Sequence, residues 1–283
     1  MKKAIIYLIS IISIFNIVIF SGCSSSNFKP NNFNCVGTWW WDDSLGSQYL
    51  KFAKKNNVTE IYYAATTFDE QTANFIKKAN KYNIKVYYLT GDTNWLINPD
   101  SLYNEIALYQ EFQNQHPENK FEGIHLNLEP HKNSNFETNE IGVLTALVSL
   151  ANILSETYPT ILFDYDIPVG LIREITISTA TAGQSTLPAC AHLINTANRV
   201  FVITNADSAT EIYNSTKNEL EYAKSINKSI VVGIETSDIG NELSFYDEGK
   251  TFMNNELAQL ETKIPLGCGI SFNHIGSWKK LSK

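Results

Sequence analysis

Three carboxylates close short runs of β-branched residues and could act on a bound substrate. Glu129 follows the run Phe121 to Leu128, Asp166 lies near the end of Ile161 to Ile167, and Glu235 follows Ser229 to Ile234. Cleaving a glycosidic bond needs two carboxyl groups flanking it: one protonates the leaving oxygen, the other acts as nucleophile or as base toward water. Glu129, Glu235 and Asp166 are the candidates for these two roles. For Asp166 the competing explanation is a cap on the turn before Pro168, and for Asp43 and Asp92 it is a loop or helix-capping residue.

The segment Phe121 to Glu129 is the most informative in the chain. Strand side chains alternate, so Ile124, Leu126 and Leu128 share one face while His125, Asn127 and Glu129 share the other. The apolar face must pack on helices, which turns the polar stripe inward with Glu129 uppermost. Buried polar groups left unpaired cost about 1–3 kcal/mol each, so the stripe is either a satisfied structural network or a binding site. Asp92, Asn273 and His274, each at or just beyond the end of a strand candidate, extend the set of expected ligand contacts. Trp39, Trp40, Trp41, Trp95 and Trp278 are the five tryptophans, and indole faces suit the C–H surfaces of sugar rings. Trp39 and Trp41 share a face, and at least one of them is expected in the core. Trp40 and Trp95 are the expected ligand contacts.

These residues must be positioned by an alternating chain. The strand candidates are Cys35 to Trp41, Glu60 to Ala65, Lys85 to Leu89, Phe121 to Leu128, Ile161 to Ile167, Arg199 to Ile203, Ser229 to Ile234 and Cys268 to Asn273. Helical periodicity fills the gaps at Leu45 to Lys55, Thr72 to Tyr82, Leu102 to Gln115, Gly142 to Tyr158, Ala209 to Ser225 and Thr251 to Glu261. Arg173 to Asn198 is hard to read and is expected to hold an inserted loop before its helix. Eight strands alternating with helices predict one α/β domain, a single (β/α)8 TIM barrel over residues 35–283, whose site lies at the C-terminal ends of the strands. Polar residues concentrate there, whereas the strand starts read as mostly apolar. An open doubly wound sheet is the alternative, but the first strand is not followed by a GxGxxG turn.

The chain has 283 residues and a formal charge of −7. That acidity argues against a nucleic-acid partner, which needs a basic surface. Residues 1–22 combine Lys2 and Lys3 with an apolar run and a small-residue exit, the pattern of a secretory signal peptide. Polar, turn-rich residues 24–34 read as a tether. Of the remaining cysteines, Cys35 and Cys268 open the first and last strands and would be neighbours in a closed barrel; buried thiols are expected there, with a bridge as the alternative. The chain has no CxxC, HExxH or HxH spacing, so neither a metal nor a cofactor is expected.

Phe20-Ser21-Gly22-Cys23 resembles the lipobox of bacterial lipoproteins. That resemblance implies a diacylated Cys23 as first mature residue and an extracytoplasmic domain anchored to the cell membrane. Glu122-Gly123-Ile124-His125-Leu126-Asn127-Leu128-Glu129 resembles the fourth-strand signature of family-18 glycoside hydrolases, Asp-Gly-x-Asp-x-Asp-x-Glu. The general acid is kept as Glu129, and Glu122, His125 and Asn127 replace the three Asp. A wider likeness, over nearly the whole mature chain, is to bacterial glycoside-hydrolase-like TIM barrels. It rests on Gly91-Asp92 with Trp95, Gly123-Ile124-His125-Leu126 with Glu129-Pro130, Asp166-Ile167-Pro168, Gly233-Ile234-Glu235-Thr236, and His274 with Ser277-Trp278. The placement of Glu129 and Glu235 also resembles retaining barrel glycosidases, which take acid/base and nucleophile from strands four and seven.

These resemblances imply a cell-surface glycoside hydrolase with carbohydrate as substrate, retaining in mechanism. A catalytically inactive glycan-binding barrel is the alternative, favoured by Asn127 where Asp is usual. A metal-assisted hydrolase using His125, His131, His274 and the mouth carboxylates is a third reading.

Overall fold

Parallel strands expose hydrogen-bonding edges and two apolar faces, and eight of them remove both liabilities by closing into a ring inside a sleeve of helices. The computed structural model describes residues 32–42, 44–169, 176–178, 186–240 and 242–282. Residues 1–31, with Cys23 and most of the tether, and Asp43 lie outside the described residues. The strands are β1 (Val36–Trp40), β2 (Glu60–Tyr63), β3 (Lys85–Thr90), β4 (Ile124–Leu126), β5 (Phe163–Pro168), β6 (Thr176–Ser178), β7 (Thr186–Pro188), β8 (Arg199–Thr204), β9 (Ile230–Glu235) and β10 (Gly269–Asn273). All but β6 and β7 form a closed barrel in chain order, each pair parallel, with Val36 opposite Ile270 where β1 meets β10. The predicted TIM barrel is therefore the fold.

The helices are α1 (Ser47–Lys55), α2 (Glu70–Asn80), α3 (Asp100–Gln115), α4 (Glu140–Thr157), α5 (Ala189–Thr196), α6 (Ala209–Ser225), α7 (Gly249–Glu261) and α8 (Ile275–Lys280). Arg173 to Asn198, expected to hold an inserted loop before its helix, contains within the described residues the antiparallel strand pair β6 and β7 followed by α5. β4 is shorter than expected. Asn127 still donates its N–H to the Thr90 carbonyl, but the chain then leaves the ladder and turns at Glu129-Pro130.

Ile124, Leu126 and Leu128 all join the main apolar core between strands and helices. His125 lies inside the barrel, stacked on Tyr62 at 4.4 Å and edge-on to Phe201 at 4.5 Å. The predicted alternation therefore holds over β4 itself, with His125 inward between Ile124 and Leu126. A second, smaller apolar cluster of Cys35, Trp39, Tyr62, Tyr87, Leu89, Phe201 and Val231 fills the interior. Gly37 makes that possible, because a Cβ there would collide with the Tyr62 ring.

The lower interior also holds charge. Strand starts are not uniformly apolar: Glu60 and Arg199 open β2 and β8, and Glu60 is buried. Arg199 donates to Glu60 Oε2 and to Asp164 Oδ2, both at 2.7 Å, and lies over the rings of Tyr87 and Phe201. Tyr62 Oη donates to Glu60 at 2.9 Å, and Asn198 Nδ2 to Asp164 at 2.7 Å. The three described cysteines are buried, and none forms a disulfide. Cys35 and Cys268 are neighbours, as the barrel requires, without a bridge.

Candidate active site at the barrel mouth

Glu235 is the most firmly held carboxylate at the C-terminal rim. It is the last residue of β9 and 5% exposed. Its Oε1 accepts the backbone N–H groups of Thr236 (2.8 Å) and Ser237 (2.7 Å), because the chain turns back on the strand end at this point. Its Oε2 accepts from Asn273 Nδ2 at 2.7 Å. Asn273 Oδ1 in turn accepts from the indole N–H of Trp41 at 3.2 Å. Three successive strand ends, β9, β10 and β1, thus converge on one carboxylate.

Glu129 stands on the same rim after β4 and is part-exposed, with Lys132 Nζ on its Oε1. Its backbone is left-handed, with φ 43° and ψ 63°, immediately before Pro130. The same conformation at Asn57, Asn83 and Asn227 is tolerated because Asn bonds locally, but for Glu it stores about 1–3 kcal/mol. Glycine relieves that strain and alanine does not. Glu129→Gly is therefore expected to melt at or above the temperature of Glu129→Ala in a thermal scan, with both losing whatever activity Glu129 supports. A lower melting point for the glycine variant would remove the strain.

Asp166 lies one step deeper. It is 7% exposed, and its carboxylate meets His125 Nε2 at 2.8 Å and Trp39 Nε1 at 3.2 Å. Burial pushes its carboxyl above the usual range, with His125 and Trp39 opposing. Both oxygens are thus engaged within the barrel, with His125 in a buried polar pair. Asn127 is part-exposed at the rim. Gly91 lets the chain just after β3 pass over the Asn127 carbonyl, where any Cβ would clash.

Two tryptophans depart from expectation. Trp40 points to the outer face, 1% exposed, with Tyr49 and Phe75 edge-on to it and its N–H on the Asp42 carbonyl. Trp95 is 4% exposed in the helix-side core, its N–H on Ser101 Oγ at 2.6 Å. Neither presents a face to the mouth. Trp41 is the exposed tryptophan, at 42%. Its parity with inward-facing Trp39, one step nearer the strand end, was the signal that could have singled it out.

Asp92 caps the short 3-10 helix Thr93–Leu96 by accepting from the Asn94 N–H at 2.8 Å. His274 caps α8, its Nδ1 accepting from the Gly276 N–H at 3.1 Å. Burial holds the His274 imidazole below its usual value, against the pull of Glu235. The unfolded chain therefore takes up this proton first as pH falls below about 6.5, so stability present at neutral pH is lost on acidification. His274→Asn keeps a capping oxygen and removes the titration. Urea denaturation is expected to show the variant losing less stability than wild type between pH 7 and pH 5; equal losses would contradict this.

A cavity of about 500 Å³ opens over the ends of β5 and β8. Pro168, Ile203 and Leu243 give it apolar walls, and Asn205, Glu211, Ser215 and Glu242 polar ones. Glu242 and Leu243 belong to the loop that leaves Glu235 and returns to bond its carbonyl through Phe245 N. None of the residues nominated from sequence lines this cavity. Among the described residues no group of three or more His, Cys, Asp or Glu is arranged to hold a metal ion.

No protein-family model matches the chain, and no curated protein does. Solved structures do match. A chitinase from Bacteroides thetaiotaomicron aligns over 87% of this chain and 90% of its own, at 13% identity and a TM-score of 0.52. An intracellular xylanase from Thermoanaerobacterium saccharolyticum, solved with xylotriose, aligns over 87% of each chain at 12% identity and a TM-score of 0.51. The C-terminal domain of ChiA from Legionella pneumophila aligns over 87% of this chain and 94% of its own, at 14% identity and a TM-score of 0.50. At such identities the likeness is one of fold: the chain shares the TIM barrel of these enzymes.

Proposed function

We propose that this barrel is a retaining glycoside hydrolase, with Glu129 as acid/base and Glu235 as nucleophile. The observation that carries the reading is the held carboxylate of Glu235 beside an exposed tryptophan at the strand ends. In the first step Glu129 gives its proton to the glycosidic oxygen while Glu235 Oε2 attacks the anomeric carbon. In the second, Glu129 takes a proton from water, which displaces Glu235 and frees the sugar. The pair requires a carboxyl separation of about 5–5.5 Å in the substrate complex. Asp166, deeper and bonded to His125 and Trp39, fits a supporting role better than the nucleophile's.

Asn127 favours a second reading, a glycan-binding barrel without turnover. Incubating the protein with chitin, xylan, cellulose and peptidoglycan oligosaccharides and measuring new reducing ends separates the two. Release supports the enzyme; tight binding without release supports the second reading.

The lipobox-like run at Phe20 to Cys23 supports a further element of the proposal, that the mature chain starts at a lipidated Cys23 and works outside the cytoplasm on a membrane anchor. Radiolabelled palmitate should enter wild type and not Cys23→Ala. Unlabelled wild type would overturn the anchor.

A further inference from the structure

We infer that the exposed face of Trp41 is a stacking subsite for a pyranose ring, and that Trp41, through Asn273, also positions the Glu235 carboxylate. The inference rests on the glycosidase reading for the role of Glu235, but not for the subsite. Trp41 is the residue just past β1, and its indole N–H reaches Asn273 at the end of β10, so its ring stands at the barrel mouth. A large aromatic left 42% open at the rim of a barrel offers the flat apolar surface that the C–H face of a sugar ring covers.

The indole edge does a different job. Its N–H is a donor only, and it donates to Asn273 Oδ1 at 3.2 Å. That bond fixes which way the Asn273 amide points. Were the amide to flip, its NH2 would face the indole N–H and its carbonyl would face the carboxylate, two repulsive contacts in place of two hydrogen bonds. In the observed orientation Nδ2 donates to Glu235 Oε2 at 2.7 Å. Oε1 is occupied by two backbone donors, so Oε2, with one donor, keeps a lone pair for the anomeric carbon. Only one amide group separates the indole from the carboxylate, so a ring stacked on Trp41 stands beside the atom proposed to attack.

The two roles separate by substitution. Trp41→Phe keeps an aromatic face and removes the N–H; Trp41→Ala removes both. Chitohexaose, xylohexaose and cellohexaose are the probes, with Kd by calorimetry and kcat and KM by reducing-end release. Wild type is expected to bind at least one of them. For that probe Trp41→Ala should raise Kd about five- to tenfold, whereas Trp41→Phe should stay within about twofold of wild type. Trp41→Phe should nevertheless lose about tenfold in kcat at unchanged KM, and Asn273→Ala should match that loss, a split that a merely structural role would not produce.

Undiminished binding by Trp41→Ala, or no binding of any hexaose by wild type, overturns the subsite. Undiminished kcat in Trp41→Phe overturns the positioning role. Binding by wild type without turnover defeats the glycosidase reading and with it the positioning role, while the Kd comparison still decides the subsite.

Discussion

Replacing Arg199 with Met is expected to cost about 3–5 kcal/mol of folding free energy, read from denaturant midpoints at constant slope. The guanidinium is the bridge between Glu60 and Asp164 in the lower barrel, at 2.7 Å to each. Removing it leaves two carboxylates in a space closed by Tyr62, Tyr87 and Phe201. Breaking a buried pair from one side is far more costly than replacing the whole group. Arg199→Met combined with Glu60→Gln and Asp164→Asn should therefore recover part of the loss. A cost under about 1 kcal/mol for the single variant would show that water reaches this layer and screens the charges.

Glu235→Gln is expected to lower kcat by about 10³-fold or more, because an amide oxygen cannot form and release the glycosyl ester that a carboxylate can. The substitution also sets an NH2 against the NH2 of Asn273, whose orientation Trp41 fixes. Some stability loss is therefore expected, on the order of 1–3 kcal/mol. Pairing it with Asn273→Asp restores an acceptor for both the new amide and the indole. That double variant should regain stability and remain inactive, which separates the structural from the chemical role of the carboxylate. Asp166→Asn should keep activity within about tenfold, since Asp166 is spent on His125 and Trp39. If Asp166→Asn loses activity and Glu235→Gln keeps it, the nucleophile moves to β5.

The barrel was legible because eight short runs rich in β-branched and aromatic residues are separated by longer segments, most with helical periodicity, and the parity of Ile124 to Glu129 placed His125 inside without any structure. Other features were hidden for physical reasons. In a parallel strand packed on both faces, both parities are apolar, so Trp40 and Trp41 could not be ranked by hydrophobicity; Trp40 went to the helices and Trp41 to the mouth. Glu60 and Arg199 open their strands, where charge normally marks a solvent-facing end, and only closure of the barrel brings them together. Asp92 and His274 were recognisable as polar residues after strands. Their capping geometry depended on short helices that periodicity does not reveal, the one after β3 having four residues and α8 six. The bonds from Asn273 to Glu235 and Trp41 join residues 38 and 232 positions apart, a link that only the fold supplies.

The most direct test of the paired-carboxylate account is the anomeric configuration of the first product, followed by ¹H NMR before mutarotation on a glycan that the protein cleaves. A nucleophilic Glu235 with Glu129 as acid/base predicts a product with the same configuration as the substrate. An inverted product would mean that water, not Glu235, attacks the anomeric carbon, and the absence of any cleaved glycan would leave the barrel a binding protein; either result contradicts the account.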